Sequence, residues 1–471
     1  MITVGLDFGT HQTKICIEDR EGVERKYSFM KHKDVNGVMR YTLPSVISIA
    51  SDGKLSYGFI PLRNNGKIVR YFKQGAFRTI PYMKMSQDDA LYYSCWYIAF
   101  ILFDLEAKYG QDFAIQMGAP TDGGHYEMAK QVAVRILASA YRLVEDVFHN
   151  DKKAFLNTDI ATLNKLTTIE KYSPSLKDEY GILVFPEAYA CLKPLTSKGK
   201  IPRATSLMID IGGGTTDISF FAIVQKQKGE RKEMIPEVYD FHSIDMGLNF
   251  LTNALNNGKD DSIQSSIANT SVTHKGIFHA FTELFSNRHN EETQQPNERT
   301  SSNVESESEI DPMRKSQFIH EIDKYVTSLI NRLRSEYKQQ TSLSIKLLED
   351  ALKDRPLIYC GGGSTFRPLQ KEYSCFTDKK MITYKDWDIK SVEDAGEIID
   401  LGLIPILSTA YGLAISVEDD NITQKPFRDI CEGLRKAEEE RRKQNHSGYH
   451  SVSSSSRYND YGSYDDYDTW K

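Results

Sequence analysis

Twice along the chain an apolar strand closes on an aspartate, turns through glycine and threonine, and returns as a second apolar strand. The first copy is VGLDFGTHQTKICI, from Val4 to Ile17, and the second is LMIDIGGGTTDISFF, from Leu207 to Phe221. Each reads as a β-hairpin whose turn leaves main-chain N–H groups uncovered, because glycine puts no side chain between those donors and an anion. A third strand, Leu357 to Tyr359, stops at another glycine run, Gly361 to Gly363. One such turn is commonplace. Two hairpins carrying Asp7 and Asp210 at matching positions can clamp a polyphosphate from both sides, whereas the purely structural alternative is an Asx hydrogen bond capping each turn. Neither the GxxxxGK[ST] nor the GxGxxG loop occurs.

Strands and helices alternate around these hairpins. A turn at Asp19 to Gly22 leads to a third strand at Lys26 to Met30, and strands are expected at Phe113 to Met117 and Gly181 to Phe185. Helical spacing is expected over 88–109, 126–147 and 318–337, and after Pro186. The aromatic run Tyr92, Tyr93, Trp96, Tyr97 and Phe100 has core spacing. Ser286 to Pro312 holds almost no large apolar residue and reads as a disordered insertion, and Asn445 to Lys471 as a solvated Ser/Tyr/Asp tail behind a charged helical run, Leu434 to Gln444.

Composition limits the partners. With 59 Lys+Arg against 65 Asp+Glu, the net charge of −6 offers no basic footprint for nucleic acid. The six cysteines show neither CxxC nor Cys/His ligand spacing, so a reducing compartment is expected, without a disulfide framework or structural zinc. No signal-peptide pattern opens the sequence and no apolar run is long enough to span a bilayer, so a cytoplasmic protein is expected.

The three glycine segments resemble, in order, the first phosphate loop, the second phosphate loop and the adenosine motif of the superfamily of actins, seventy-kilodalton heat-shock chaperones and sugar kinases. YGFIPLRNNGKIVRYFKQG, IQMGAPTDGGHYEMAKQVA, SIDMGLNFLTNAL and LSTAYGLAIS are similar to further segments of the chaperone ATPase domain, so the likeness runs from about Ile2 to Val417. It implies an α/β, two-lobe actin-like ATPase fold, with duplicated ribonuclease H-like lobes around a nucleotide cleft. Lobe I would take 1–203, completed by about 396–430, and lobe II 204–395. Residues 286–312 would be an insertion and 431–471 a charged helix and tail.

The resemblance implies ATP or ADP with magnesium as ligands. Gly9, Thr10 and Lys14 would hold the phosphates from one side, and Gly212, Gly213, Gly214, Thr215 and Thr216 from the other. Gly362, Gly363 and Ser364 would lie under the nucleoside, with Phe366 and Arg367 at the base, where Phe366 either stacks or packs in a core. Asp7, Asp210 and Asp217 would surround the magnesium, mostly through water. Lys73 matches the catalytic lysine of the chaperones, or else is a surface lysine. Glu187 stands two residues past the chaperone glutamate position, which here is Phe185, and would orient the attacking water. His11 departs from the family pattern and is expected to face solvent. The reading implies a chaperone-like ATPase without a peptide-binding domain, coupling lobe closure to a protein partner or self-association. A filament-forming actin-like ATPase and a small-molecule kinase are the alternatives.

Overall fold

A computed structural model describes residues 1–22, 24–60, 66–77, 85–120, 126–197, 205–228, 231–247, 250, 312–353, 357–361, 381–383, 404–415, 417, 422 and 424–449. The segments 286–311 and 450–471, and the adenosine-motif residues Gly362, Gly363, Ser364, Phe366 and Arg367, lie outside them.

Both hairpins form, and each seeds a mixed sheet. In the first, Ile2–Asp7 pairs antiparallel with Gln12–Glu21, which pairs antiparallel with Glu24–Phe29. On its other side Ile2–Asp7 runs parallel to Phe113–Ala119, which runs parallel to Ile182–Pro186. The second sheet repeats this pattern. Thr205–Ile211 pairs antiparallel with Thr216–Lys228 and that strand with Arg231–Ile244, while Leu357–Cys360 and then Met381–Thr383 continue in parallel on the other side. The chain is therefore α/β, with one strand order used twice.

Strand alternation sends successive side chains to opposite faces, and here both faces are covered, so the strands are apolar almost throughout. Val4, Leu6, Ile15 and Ile17 join the core under the helices Gln87–Tyr109 and Tyr126–Arg142. Leu207, Ile209 and Phe220 join a second core with the helix Pro312–Gln340. Between the sheets, Cys16, Met208, Phe221 and Ile358 meet Leu192 of the helix Glu187–Ser197 and Leu407 and Ala410 of the helix Ile404–Ala414. The same alternation sends the adjacent Phe220 and Phe221 to different cores, and the register with the neighbouring strand shifts between them.

Helix ends follow local chemistry. Ser86 caps Gln87–Tyr109 by accepting from the Asp89 N–H at 3.0 Å, and Gly110, at φ 75°, terminates it. The predicted helix over 126–147 is α-helical only to Arg142 and continues as a π-helical turn, Leu143–Val147. The charged C-terminal helix differs more from expectation. Expected from Leu434, it begins at Phe427 and buries Ile430, Cys431 and Leu434 against the second core. The aromatic run is core as expected. Tyr97 donates to the carbonyls of Leu43 and Pro44, and Trp96 Nε1 donates to Thr167 Oγ1 at 2.8 Å. No described helix is long and apolar enough to cross a membrane.

Glu106, on the buried side of Gln87–Tyr109, is 8% exposed. Burial, with the Glu145 charge adding, pushes its carboxyl from 4.5 up to about 7. Between those values the folded chain holds a proton that the unfolded chain has lost, so stability falls as pH rises toward 7 and levels off above it. Glu106→Gln should remove that fall, which solvent screening limits to on the order of 1 to 2 kcal/mol. Urea unfolding of both proteins between about pH 5 and 8 reads the difference directly.

Candidate functional site

Both glycine turns open into one cleft. Asp7, Gly9, Thr10 and Lys14 line it from the first hairpin, and Asp210, Gly212, Gly213, Gly214, Thr215 and Asp217 from the second. Lys73, Glu187 and Gly361 complete the wall, with Ile406 and Thr409 from the helix between the sheets. Residues separated by hundreds of positions meet because each hairpin ends its strand at the same edge of its sheet.

The first turn is held from inside. The Gly9 N–H donates to the Asp7 carbonyl at 3.0 Å, Ser45 Oγ donates to the Gly9 carbonyl at 2.6 Å, and the Ser45 N–H donates to the His11 carbonyl at 2.9 Å. A Cβ on Gly9 would lie 2.2 Å from the Gln12 carbonyl oxygen, so only glycine fits this turn. In the second turn the Gly212 N–H donates to the Thr215 carbonyl at 2.9 Å. Thr216 behaves differently from the other predicted phosphate residues. It is fully buried, its hydroxyl donates to the Met246 carbonyl at 2.8 Å, and it anchors the turn from behind instead of lining the cleft.

The two hairpins place different charges at matching positions. Asp7 faces Lys14 in the ladder, and Lys14 Nζ lies 2.7 Å from Asp7 Oδ2. Asp210 faces Asp217 in the same way, so a carboxyl opposes a carboxyl. Burial pushes Asp217 up to about 7, and the Glu187 charge adds to the effect. Burial also pushes Asp210 well above the usual carboxyl range, with Cys191, Asp217 and Asp7 adding and Lys14 opposing. Asp217 Oδ1 is buried and has no hydrogen-bond partner among the described residues. Four carboxyl groups thus share the cleft with two ammonium groups. Oxygen-only donors of this kind suit magnesium.

Lys73 is buried, which removes the surface-lysine alternative. It follows Tyr71, held at φ 61°, on the short helix Phe72–Ala76. Burial by itself would lower its pKa, but the charges of Glu187, Asp7 and Asp217 overcome that and raise it, so it stays an ammonium. Lys73 Nζ donates to Glu187 Oε1 at 2.5 Å, a contact spanning 114 residues. Glu187 is the first residue of its helix and packs on Gly118, where a Cβ would come within 2.8 Å of its Cγ. Phe185, at the chaperone glutamate position, is buried in a separate small cluster and stacks with Tyr189 at 6.1 Å.

Several lining residues had no signal in the sequence. His11, expected to face solvent, lies across the cleft over Gly213, where a Cβ would sit 2.1 Å from its ring Cδ2. Gln12 and Thr409 lie within the segments VGLDFGTHQTKICI and LSTAYGLAIS, where other positions carry the likeness, and Ile406 lies just outside them. Gly361 adopts φ 70°, and a Cβ there would lie 2.2 Å from Asp210 Oδ1, so the glycine serves both backbone conformation and close approach. Donor atoms of Cys191, Cys360 and Asp210 lie within 4.8 Å of one another behind the cleft, a grouping that linear spacing did not reveal. Burial keeps the Cys360 thiol well above its ordinary pKa, so it packs as a neutral group.

No protein-family model and no curated protein sequence matches the chain.

Proposed function

We propose that the chain is a two-lobe ATPase of the actin and heat-shock type, binding MgATP between its two sheets and hydrolysing the terminal phosphate. The observation that carries this reading is that both strand-end aspartates, both glycine turns, Lys73 and Glu187 line one cleft. Main-chain N–H groups of the two turns would donate to phosphate oxygens from opposite sides. Lys14 and Lys73 would offset charge on the β- and γ-phosphates. Asp7, Asp210 and Asp217 would hold magnesium, largely through its waters, and the ion would neutralise the paired phosphates. Glu187 would orient the water while fixing the Lys73 ammonium.

Among heat-shock-like and actin-like readings, the buried Lys73–Glu187 pair favours the first, in which lobe closure is read by a separate protein. Lys14 on Asp7 is the feature that favours the second, a filament former, and pelleting only with ATP would reveal it. The decisive measurement is calorimetric titration with MgATP, followed by phosphate release from the wild type and from Glu187→Ala. Binding in the micromolar range or tighter is expected, with release in the variant reduced about a hundredfold. Absence of any heat with ATP and ADP rules out the proposal. Unchanged release in Glu187→Ala removes only the role of that residue.

A further inference from the structure

We infer that His11 is the residue that distinguishes a nucleoside triphosphate from a diphosphate in this cleft, its ring N–H donating to the terminal phosphate from a seat between the two glycine turns. This assignment rests on the proposed binding of MgATP there. His11 is half-buried and lines the cleft, so its ring borders the space a ligand enters. Its main chain is fixed independently of the ring: the His11 carbonyl accepts from the Ser45 N–H, and Ser45 Oγ donates to the Gly9 carbonyl of the same turn.

The ring reaches across to the second turn. A Cβ on Gly213 would lie 2.1 Å from His11 Cδ2, 2.9 Å from Cγ and 3.2 Å from Cβ, so the Cδ2 edge of the imidazole stands where a side chain at 213 would be. Gly213 does not have a positive φ, so the backbone conformation does not demand glycine there; the imidazole does. At the next position a Cβ on Gly214 would lie 2.9 Å from Thr10 Cγ2 and 3.1 Å from Gln74 Nε2. Two successive residues of the first turn thus seat on two successive glycines of the second.

The same ring meets Tyr71, with 5.9 Å between ring centroids, and Tyr71 precedes the helix Phe72–Ala76 that carries Lys73. His11 therefore stands at the Lys73 end of the cleft, where the proposed function puts the terminal phosphate. Lys14 and Lys73 bring point charges on flexible stems, which attract any phosphate within reach. The imidazole, seated between Gly213 and Tyr71, offers one directed donor, and it keeps an N–H whether neutral or protonated. With a diphosphate the terminal oxygen is missing and the ring stays packed on Gly213. With a triphosphate the ring gains an acceptor, and the ligand then ties the first turn to the second.

The test uses the full chain with magnesium, ADP and β,γ-imido-ATP, which resists hydrolysis, and compares the wild type with His11→Ala and His11→Gln by calorimetry. The wild type should bind the triphosphate analogue about tenfold more tightly than ADP or better, the size of one hydrogen bond to a charged oxygen. In His11→Ala the two affinities should come within about threefold of each other while the ADP Kd moves less than about threefold. His11→Gln, which restores an N–H donor, should recover part of the preference. The seat is checked by Gly213→Ala, whose methyl would collide with the ring: the thermal midpoint should fall in this variant and recover in the double variant His11→Ala/Gly213→Ala. A triphosphate preference that survives His11→Ala overturns the assignment and leaves the nucleotide reading intact, as does a wild type that binds both ligands equally. Parallel losses of ADP and analogue affinity in His11→Ala make the residue a support of the turn and also overturn it, and so does a double variant no more stable than Gly213→Ala. If the wild type binds neither ligand, both readings fall together.

Discussion

Lys73→Met is expected to lower phosphate release by at least about a hundredfold and to destabilise the fold by about 3 kcal/mol. The two effects have separate causes. Catalytically, Lys73 is the buried ammonium nearest Glu187, and the charge that spreads over the terminal phosphate in transfer would lose it. Structurally, its removal leaves Glu187, Asp7 and Asp217 facing one another with Lys14 as the remaining ammonium among the described residues that line the cleft. A buried carboxylate whose partner is removed keeps its desolvation cost without the compensating attraction. The double variant Lys73→Met/Glu187→Gln separates the two, since it removes both charges and should regain most of the urea midpoint while turnover stays low. A single variant that hydrolyses ATP like the wild type would place the terminal phosphate away from Lys73.

Gly412→Ala should be at least as damaging, although it changes no group in the cleft. Gly412 lies on the helix Ile404–Ala414, where a Cβ would fall 1.7 Å from the Ala190 carbonyl oxygen and 2.7 Å from its carbon. The obstacle is the backbone of a neighbouring helix, which cannot rotate aside. The helix cannot retreat toward the first sheet either, because a Cβ at Gly5 would already lie 2.2 Å from the Ala414 nitrogen. Overpacking of this kind costs about 3 kcal/mol or more when rigid elements must separate. Since Ile406 and Thr409 of the same helix line the cleft, nucleotide affinity should fall with stability. Urea unfolding with and without ATP measures both, and a wild-type midpoint would contradict the close helix packing described above.

Much of the architecture can be read locally. The strands Ile2–Asp7 and Thr205–Ile211, their glycine turns and their return strands are written in apolar runs and turn residues a few positions apart, and they form where expected. Helix 87–109 is likewise marked at both ends, by Ser86 and Gly110. The C-terminal helix was harder to place because its abundant charges hide a narrow apolar stripe, Ile430, Cys431 and Leu434, whose destination depends on a surface far away in the chain. His11 was misread for a similar reason: what an isolated polar side chain faces is decided by the opposite wall.

The amino-acid order alone thus determined two strand–aspartate–glycine hairpins and the α/β alternation around them, because backbone geometry and turn preference act over a few residues. Only the tertiary structure decided that Lys73 meets Glu187 and that Gln74 reaches Gly214. It also decided that Thr216 turns inward and that Cys191, Asp210 and Cys360 share one corner. Those encounters depend on how closely helices approach sheets, which is set at glycines such as Gly5 and Gly412 by van der Waals contact and by no pattern along the chain.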